Sequence, residues 1–561
     1  MTSSPAPLSL TELLSRNLSE ERERRVFLYD RRGKTSESRS YPELLSAARR
    51  TAACLAARGL EERDRVLVLL PTSWAGLEAW LGSLFRGAWP AMVASGGATD
   101  LAAQNHRIDE LVEQLEPRLL VCDSAMKAQL LRGGAPRAAR TVVSAAELSA
   151  TPAIQELAEA RPQPCETAFL QLTSGATGRP RAVRISHAGA VHNPRAIAEA
   201  VSAPDGAPIS SADAGVVSWL PLYHDMGLVG CLLFALAHRL DLRLMRPETF
   251  LARPLAWLKA LAETRGALTA APNFAYQFCV ERLAEAELEG LDLSRWRAAL
   301  TGGEMIRPET AAVFLACFGA RGLAAGTQRP AYGLAEATLA VAVDRRGAGV
   351  RTRPLPSGYD AGLGLKEAVC VGAPISGTEV RISAPDGARL PEGVIGAVQV
   401  QGPSVMQGYF NDPEATAETL RDGWLDTGDL GFFHAGELHL AGRSKELLIL
   451  QGHNRMPHEL EWAAERASGG GGSVRCGAFS IARGPKGEEA VLIVEAARTT
   501  PDWLAGTERA IRLRVAKELG LPLADLLFVR RGALPRTTSG KVRRLELRRR
   551  YLEGKLERLP G

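Results

Sequence analysis

Apolar positions along the first 150 residues change period repeatedly. Over Tyr41 to Arg58 they recur at Leu44, Leu45, Ala48, Ala52 and Leu55, a helical spacing. Val66 to Leu70 is a short, unbroken apolar run closed by Pro71, as expected of a buried strand. Trp74 to Phe85 returns to helical spacing, and Ala91–Val93, Val121–Asp123 and Thr141–Val143 read as further strand segments. Helices alternating with buried strands predict an α/β unit with largely parallel sheets. From Ala368 to Gly402 the texture changes to short β-like runs (VCVG, TEVRI, GAVQVQG) broken by Pro and Gly, which predicts a small antiparallel unit. Val216 to Leu240 is the most apolar long stretch, but His224, Asp225 and His238 interrupt it, so no membrane span is expected.

The chain has 561 residues, 46% hydrophobic and 23% charged, which excludes a disordered or fibrous polymer and predicts several domains. Sixty-eight basic residues against 63 acidic ones leave a net charge of only +5, so charge does not point to nucleic acid. The excess is concentrated late: Lys541, Arg543, Arg544, Arg548, Arg549 and Arg550 lie close together, with Glu546 opposing. The eight cysteines form no CxxC pair, and buried reduced thiols are expected. MTSSPAPLSLTELL lacks the basic and apolar segments of a secretory leader, so the cytoplasm is the expected compartment.

The segment with the clearest chemistry is Leu172-Thr173-Ser174-Gly175-Ala176-Thr177-Gly178-Arg179-Pro180-Arg181, which follows a candidate strand at Ala168–Leu170. Glycines let backbone N–H groups converge on a phosphate, hydroxyls add donors, and a terminal cation meets the charge. It is not a Walker A loop, since GxxxxGK[ST] is absent. No GxSxG elbow is present, and His458-Glu459 lacks the second histidine of a zincin because Trp462 occupies its place.

LTSGATGRPRAV resembles the phosphate-binding signature of the adenylate-forming superfamily, which includes acyl-CoA synthetases, adenylation domains and fatty acyl-AMP ligases. Further resemblances follow in order: Tyr332–Thr338 to the adenine and magnesium motif, Trp424–Leu430 to the ribose motif, Gly442–Glu446 to the hinge motif, and Pro535–Lys541 to the catalytic-lysine motif. Ser218–Leu228 (SWLPLYHDMGL) and Ala271–Tyr276 (APNFAY) are similar to the fatty acyl-AMP ligase branch. Amino-acid-activating relatives carry an Asp near the latter segment. None stands in APNFAY, so a desolvated substrate ammonium would lack a partner, which favours a non-amino acid such as a fatty acid.

The resemblance implies an α/β fold: a large N-terminal domain over residues 1–442, made of two α/β sheets plus a β-barrel subdomain; a hinge at 443–446; and a small hinged C-terminal α+β domain over 447–561. It implies ATP and Mg²⁺, with acyl-adenylate formation and pyrophosphate release. Lys541 would bridge the carboxylate and the α-phosphate, with Glu336 and His224 also catalytic. Glu336 and Thr173 would hold the metal. Thr173, Ser174, Gly175, Thr177, Gly178 and Arg181 would hold the β- and γ-phosphates. Tyr332 would lie against adenine, Gly302, Gly303 and Gly333 would permit close approach, and Asp429 and Arg443 would bind the ribose.

A second step would pass the acyl group to a phosphopantetheine thiol after rotation about Lys445. The acceptor would be a carrier protein acting in trans, since no carrier domain precedes Gly561; the alternative is CoA, as in a medium- or long-chain acyl-CoA synthetase. A non-catalytic acyl or nucleotide sensor is the distant third reading. Two departures stand out. Pro180-Arg181-Ala182 replaces the usual Pro-Lys-Gly, exchanging a point charge for a planar fork and restricting φ at Ala182. Leu339 to Val371 is short for the insertion that fatty acyl-AMP ligases carry there, which weakens any expectation that CoA is rejected.

Overall fold

The computed structural model describes residues 8–94, 101–132, 142–150, 159–173, 180–202, 209, 212–345, 347–356, 367–450, 453–468, 474–482, 488–496, 498–537 and 540–559. Local sequence signals start the helices where the periodicity predicts. Tyr41–Ala56 opens on Ser40, whose Oγ accepts the Glu43 N–H while the Glu43 carboxylate accepts the Ser40 N–H, a reciprocal cap. Trp74–Phe85 opens on Ser73.

The strand segments read from the N-terminal region assemble into a four-stranded parallel sheet in the order Trp89–Met92, Arg65–Leu69, Leu119–Cys122, Val142–Ser144. A second sheet runs Thr35–Ser40, Arg25–Tyr29, Asp241–Leu244, Gly215–Ser218, Ala267–Ala271, Trp296–Thr301, Gln328–Gly333, parallel except at its first pair. Two parallel sheets thus account for the α/β expectation. The strands expected as a barrel continue this second sheet edge to edge as an antiparallel run through Ala340–Val343, Glu367–Pro374, Glu437–Arg443, Trp424–His434, Gly396–Gln401 and Glu379–Ser383. Thr167–Thr173 and Arg181–Ser186 form a separate hairpin.

From Leu448 onward the chain builds its own five-stranded sheet, with Arg475–Ala482 antiparallel and Leu523–Val529 parallel to Glu488–Glu495. Its apolar cores, spanning Leu448 to Leu559, are distinct from the large core that runs from Leu10 to Leu438. The apolar stretch after Val216 becomes a strand, a short turn of helix, a π-helix over Leu228–Leu233 and the helix Phe234–Ala237. Among the described residues no helix is long and apolar enough to cross a membrane. The four glycines at 469–472 lie outside the described residues.

Candidate active site

One large cavity, about 770 Å³, opens where the two sets of cores meet. Strand ends supply part of its polar wall, as the carboxyl ends of the strands open onto the crevice. Thr173 ends its strand, Tyr332 and Gly333 end Gln328–Gly333, and Gly302 and Gly303 follow Trp296–Thr301. Lys541, from the C-terminal part, lines the same cavity.

Within it, Tyr332 donates its hydroxyl to Asp429 Oδ2 at 2.6 Å, and Arg443 Nε donates to Asp429 Oδ1 at 3.1 Å. Burial, then the Asp429 charge, drives the Tyr332 hydroxyl well above its usual pKa, so it stays a donor. Asp429 retains lone pairs for further donors. Tyr409 donates to Glu336 Oε1 at 2.9 Å, and burial raises the Glu336 carboxyl above the ordinary range. His224 Nδ1 lies 2.6 Å from Asp225 Oδ1 and 3.3 Å from the Met226 amide; the shorter contact assigns the proton to the carboxylate side and leaves Nε2 as the free ring nitrogen. Burial alone would raise Asp225, but the charge and hydrogen bond of His224 outweigh it and hold the carboxyl below its usual value.

The Lys541 ammonium stands in the cavity, open to solvent yet enclosed by atoms of both parts. That enclosure, then the nearby Arg443 charge, lowers its pKa; Asp225, Glu304 and Asp429 oppose the shift.

The fold therefore brings Thr173, Arg181, His224, Gly302, Gly303, Tyr332, Gly333, Glu336, Asp429, Arg443 and Lys541 to one cavity wall. Ser174, Gly175, Thr177 and Gly178 lie outside the described residues. Some details differ from the sequence expectation. The room left by the missing side chain at Gly302 is filled by the Ala331 carbonyl, 2.5 Å from where a Cβ would stand, so this glycine serves strand packing. Gly303 has φ +76°, and a Cβ there would meet Met226 Sδ at 2.7 Å. Arg181 lies 3.8 Å from Asp412 and 5.1 Å over the Tyr409 ring, so part of its charge is already met. Ala182 is a fully buried strand residue opposite Leu172, where extended backbone suits alanine and the expected φ restriction has no consequence.

Sequence reasoning assigned no role to Glu304, Tyr409 or Asp225. Glu304 follows Gly302-Gly303 directly, and its Oε1 accepts the Phe274 N–H at 2.7 Å. An acid thus does lie against the APNFAY segment in space, with one oxygen already engaged by backbone. Tyr409 had no signal, since it comes from a turn 73 positions from Glu336. Asp225 was legible as the neighbour of His224.

Ile197, Gly230, Ala270, Leu300 and Leu339 give the same cavity an apolar side, hereafter the acyl arm. Ile197, Gly230 and Leu300 also border a second, small compartment of about 20 Å³, closed by Val201, Val216, Phe234, Leu268 and Ala298. Thr269 is its one polar neighbour, and its hydroxyl is spent on the Val217 carbonyl.

Residues 14–410 match the AMP-binding enzyme family. The chain belongs to that family of adenylate-forming enzymes. It is 32% identical to the long-chain-fatty-acid–AMP ligase FadD26 of Mycobacterium tuberculosis over 88% of each chain. It is also 32% identical to a Caulobacter vibrioides protein provisionally named an acyl-CoA synthetase, covering 94% of this chain and 93% of that one. A solved chain from work on fatty acyl-adenylate ligases of E. coli and L. pneumophila superposes with a TM-score of 0.86 at 30% identity, over 98% of both chains.

Proposed function

We propose that the protein is a fatty acyl-AMP ligase: it activates a non-amino carboxylic acid with ATP, forming acyl-adenylate and pyrophosphate, and then delivers the acyl group to a pantetheine thiol. The observation that carries the reading is the shared cavity, in which Lys541 faces the Tyr332–Asp429–Arg443 cluster while the apolar acyl arm lines the same space. Family membership and the activities for which the relatives are named support it.

In this reading a substrate carboxylate oxygen attacks the α-phosphorus and the bond to pyrophosphate breaks. The chain contributes positioning and charge rather than covalent chemistry. Lys541 neutralises charge that builds on the α-phosphoryl oxygens and the entering carboxylate. Asp429 accepts from the ribose hydroxyls, held in line by Tyr332 and Arg443. His224, its Nδ1–H fixed by Asp225, offers Nε2 at the junction of the polar wall and the acyl arm. Glu336 and the Thr173 hydroxyl would hold Mg²⁺, which favours one or two carboxylates plus phosphate oxygens; a carboxylate on the cavity wall, oriented by the Tyr409 hydroxyl at one oxygen, fits that donor set. Mg²⁺ when bound would neutralise phosphate charge.

We assign residues 1–442 and 447–561 to the two moving parts and 443–446 to the hinge. The acceptor is the pantetheine thiol of a carrier protein. The tail is less basic than its composition: Arg544 pairs with Glu446 and Glu461, and Arg549 and Arg550 with Glu546. Arg543 and Arg548 have no acidic partner among the described residues and edge the cavity mouth, where an acidic carrier would approach. CoA is the second reading, favoured by the short Leu339–Val371 segment and by the Caulobacter relative's name.

The test supplies ATP, Mg²⁺ and carboxylic acids of graded length with an amino-acid control, scoring acyl-adenylate and pyrophosphate by mass spectrometry. CoA or a phosphopantetheinylated carrier is then added. Fatty-acid-dependent adenylate followed by carrier thioester is expected; absence of acid-dependent pyrophosphate release overturns the proposal.

A further inference from the structure

Arg307 precedes the helix Pro308–Phe318 on the large N-terminal part. Its backbone is fixed from two sides. The following proline confines it to extended conformations, and its N–H donates to Asn273 Oδ1 at 3.0 Å while Asn273 Nδ2 donates to Thr310. The side chain crosses to the helix Pro457–Ala467 of the C-terminal part, where its guanidinium pairs with Glu465 and lies 4.9 Å over the Trp462 ring. Trp462 and Glu465 are three residues apart and so share one helix face. The Trp462 ring is backed by His458, with ring centres 4.6 Å apart.

Between described residues before Arg443 and those after Glu446, Arg307–Glu465 is the one ion pair or hydrogen bond. The cavity is lined by residues of both parts, and Gly442 packs against Met456 beside the hinge. The pair is also partly enclosed, with side chains 32% and 22% exposed, so it is less screened than a free surface pair.

We infer that Arg307, Glu465 and Trp462 form a latch that keeps the C-terminal part in the orientation that presents Lys541 to the cavity. They are positioning residues for adenylate formation and have no part in thiol transfer, for which the latch must open. Its anchor, Asn273, belongs to the APNFAY segment flanking the acyl side, so the latch and the acyl site share one support.

The half-reaction arm of the test rests on the function proposed above; the distance arm does not. Arg307→Met and Glu465→Gln are each expected to slow acyl-adenylate formation about tenfold, with transfer from added acyl-adenylate to the thiol unchanged or faster. The charge-reversed double variant, Arg307→Glu with Glu465→Arg, should recover most of the loss. Equal loss in both half-reactions, no loss in either, or no recovery in the double variant overturns the latch. For the distance arm, spin labels go at the exposed positions Leu131 and Leu513 after substitution by cysteine, in a Cys165→Ser background that removes the exposed native thiol. Pulsed dipolar spectroscopy should then show a second distance population in Arg307→Met that the parent lacks; identical distributions in both overturn the proposal. A parent that forms no adenylate sinks the functional reading, and the spin-label result still decides the latch.

Discussion

At the scale of single residues, charge placement decides the chemistry. Lys541→Ala removes an ammonium from the cavity wall, and adenylation should fall by about 10²–10³, the usual effect of deleting one preorganised electrostatic group. The melting temperature and ATP binding should change little, and an acid-dependent pyrophosphate assay beside a thermal melt checks both. Asp429→Ala has two separable effects. It should raise the apparent KM for ATP, and it should cost about 1–3 kcal/mol of stability by orphaning the buried Tyr332 hydroxyl. Adding Tyr332→Phe should restore much of the stability and none of the KM.

Two histidines outside the chemistry contribute to the acid limit. His187 and His458 are buried, each with a ring nitrogen lacking a partner, and burial lowers both to about 4. The unfolded chain takes up these protons below about pH 6.5, while the folded protein does so only near 4. Stability is therefore full above pH 6.5 and declines as pH falls through that window, by on the order of 3 kcal/mol per histidine at the low end. Replacing either by Gln should flatten the decline of melting temperature with acidity.

At the scale of elements, the acyl side is built by a helix, a π-helix, two strand ends and the turn at Leu339, of which only the π-helix segment lay in a stretch read as apolar from the sequence. The π-helix over Leu228–Leu233 turns Gly230 toward the arm, and a Cβ at that position would stand 2.8 Å from Leu339 Cδ2. Gly230→Leu should shut off the small compartment behind it. The preferred acid should shorten, with kcat/KM for longer acids falling about 10–200-fold and the KM for ATP unchanged. A panel of acids of graded length measures this. The π-helix itself left no mark in the sequence, because one extra residue in a turn reflects packing against the sheet rather than composition.

At the scale of the whole molecule, two bodies with separate cores meet around a cavity, and the reaction needs both. If the carrier approaches Arg543 and Arg548, which have no acidic partner among the described residues, transfer to the carrier should slow with rising ionic strength, and Arg548→Glu should weaken it while leaving adenylate formation intact. Thioester yield at two salt concentrations tests this. The basic tail shows why composition misleads at this scale. Glu446 and Glu461, far off in the chain, return to neutralise Arg544, which counting neighbours along the sequence does not reveal.

The sequence by itself determined the periodic elements, the helix starts and the ordered motifs around Thr173, Tyr332, Asp429, Arg443 and Lys541. These signals are local: a cap, an alternation of apolar positions and a short run of functional groups are each complete within a few residues. Only the tertiary structure decided that Tyr332 and Asp429, 97 positions apart, share a hydrogen bond, that Glu304 takes the Phe274 N–H, and that Arg307 reaches Glu465 on the other part. Such pairs form because packing two cores against each other forces particular strand ends and helix faces together, and that juxtaposition belongs to the whole set of contacts rather than to any one segment.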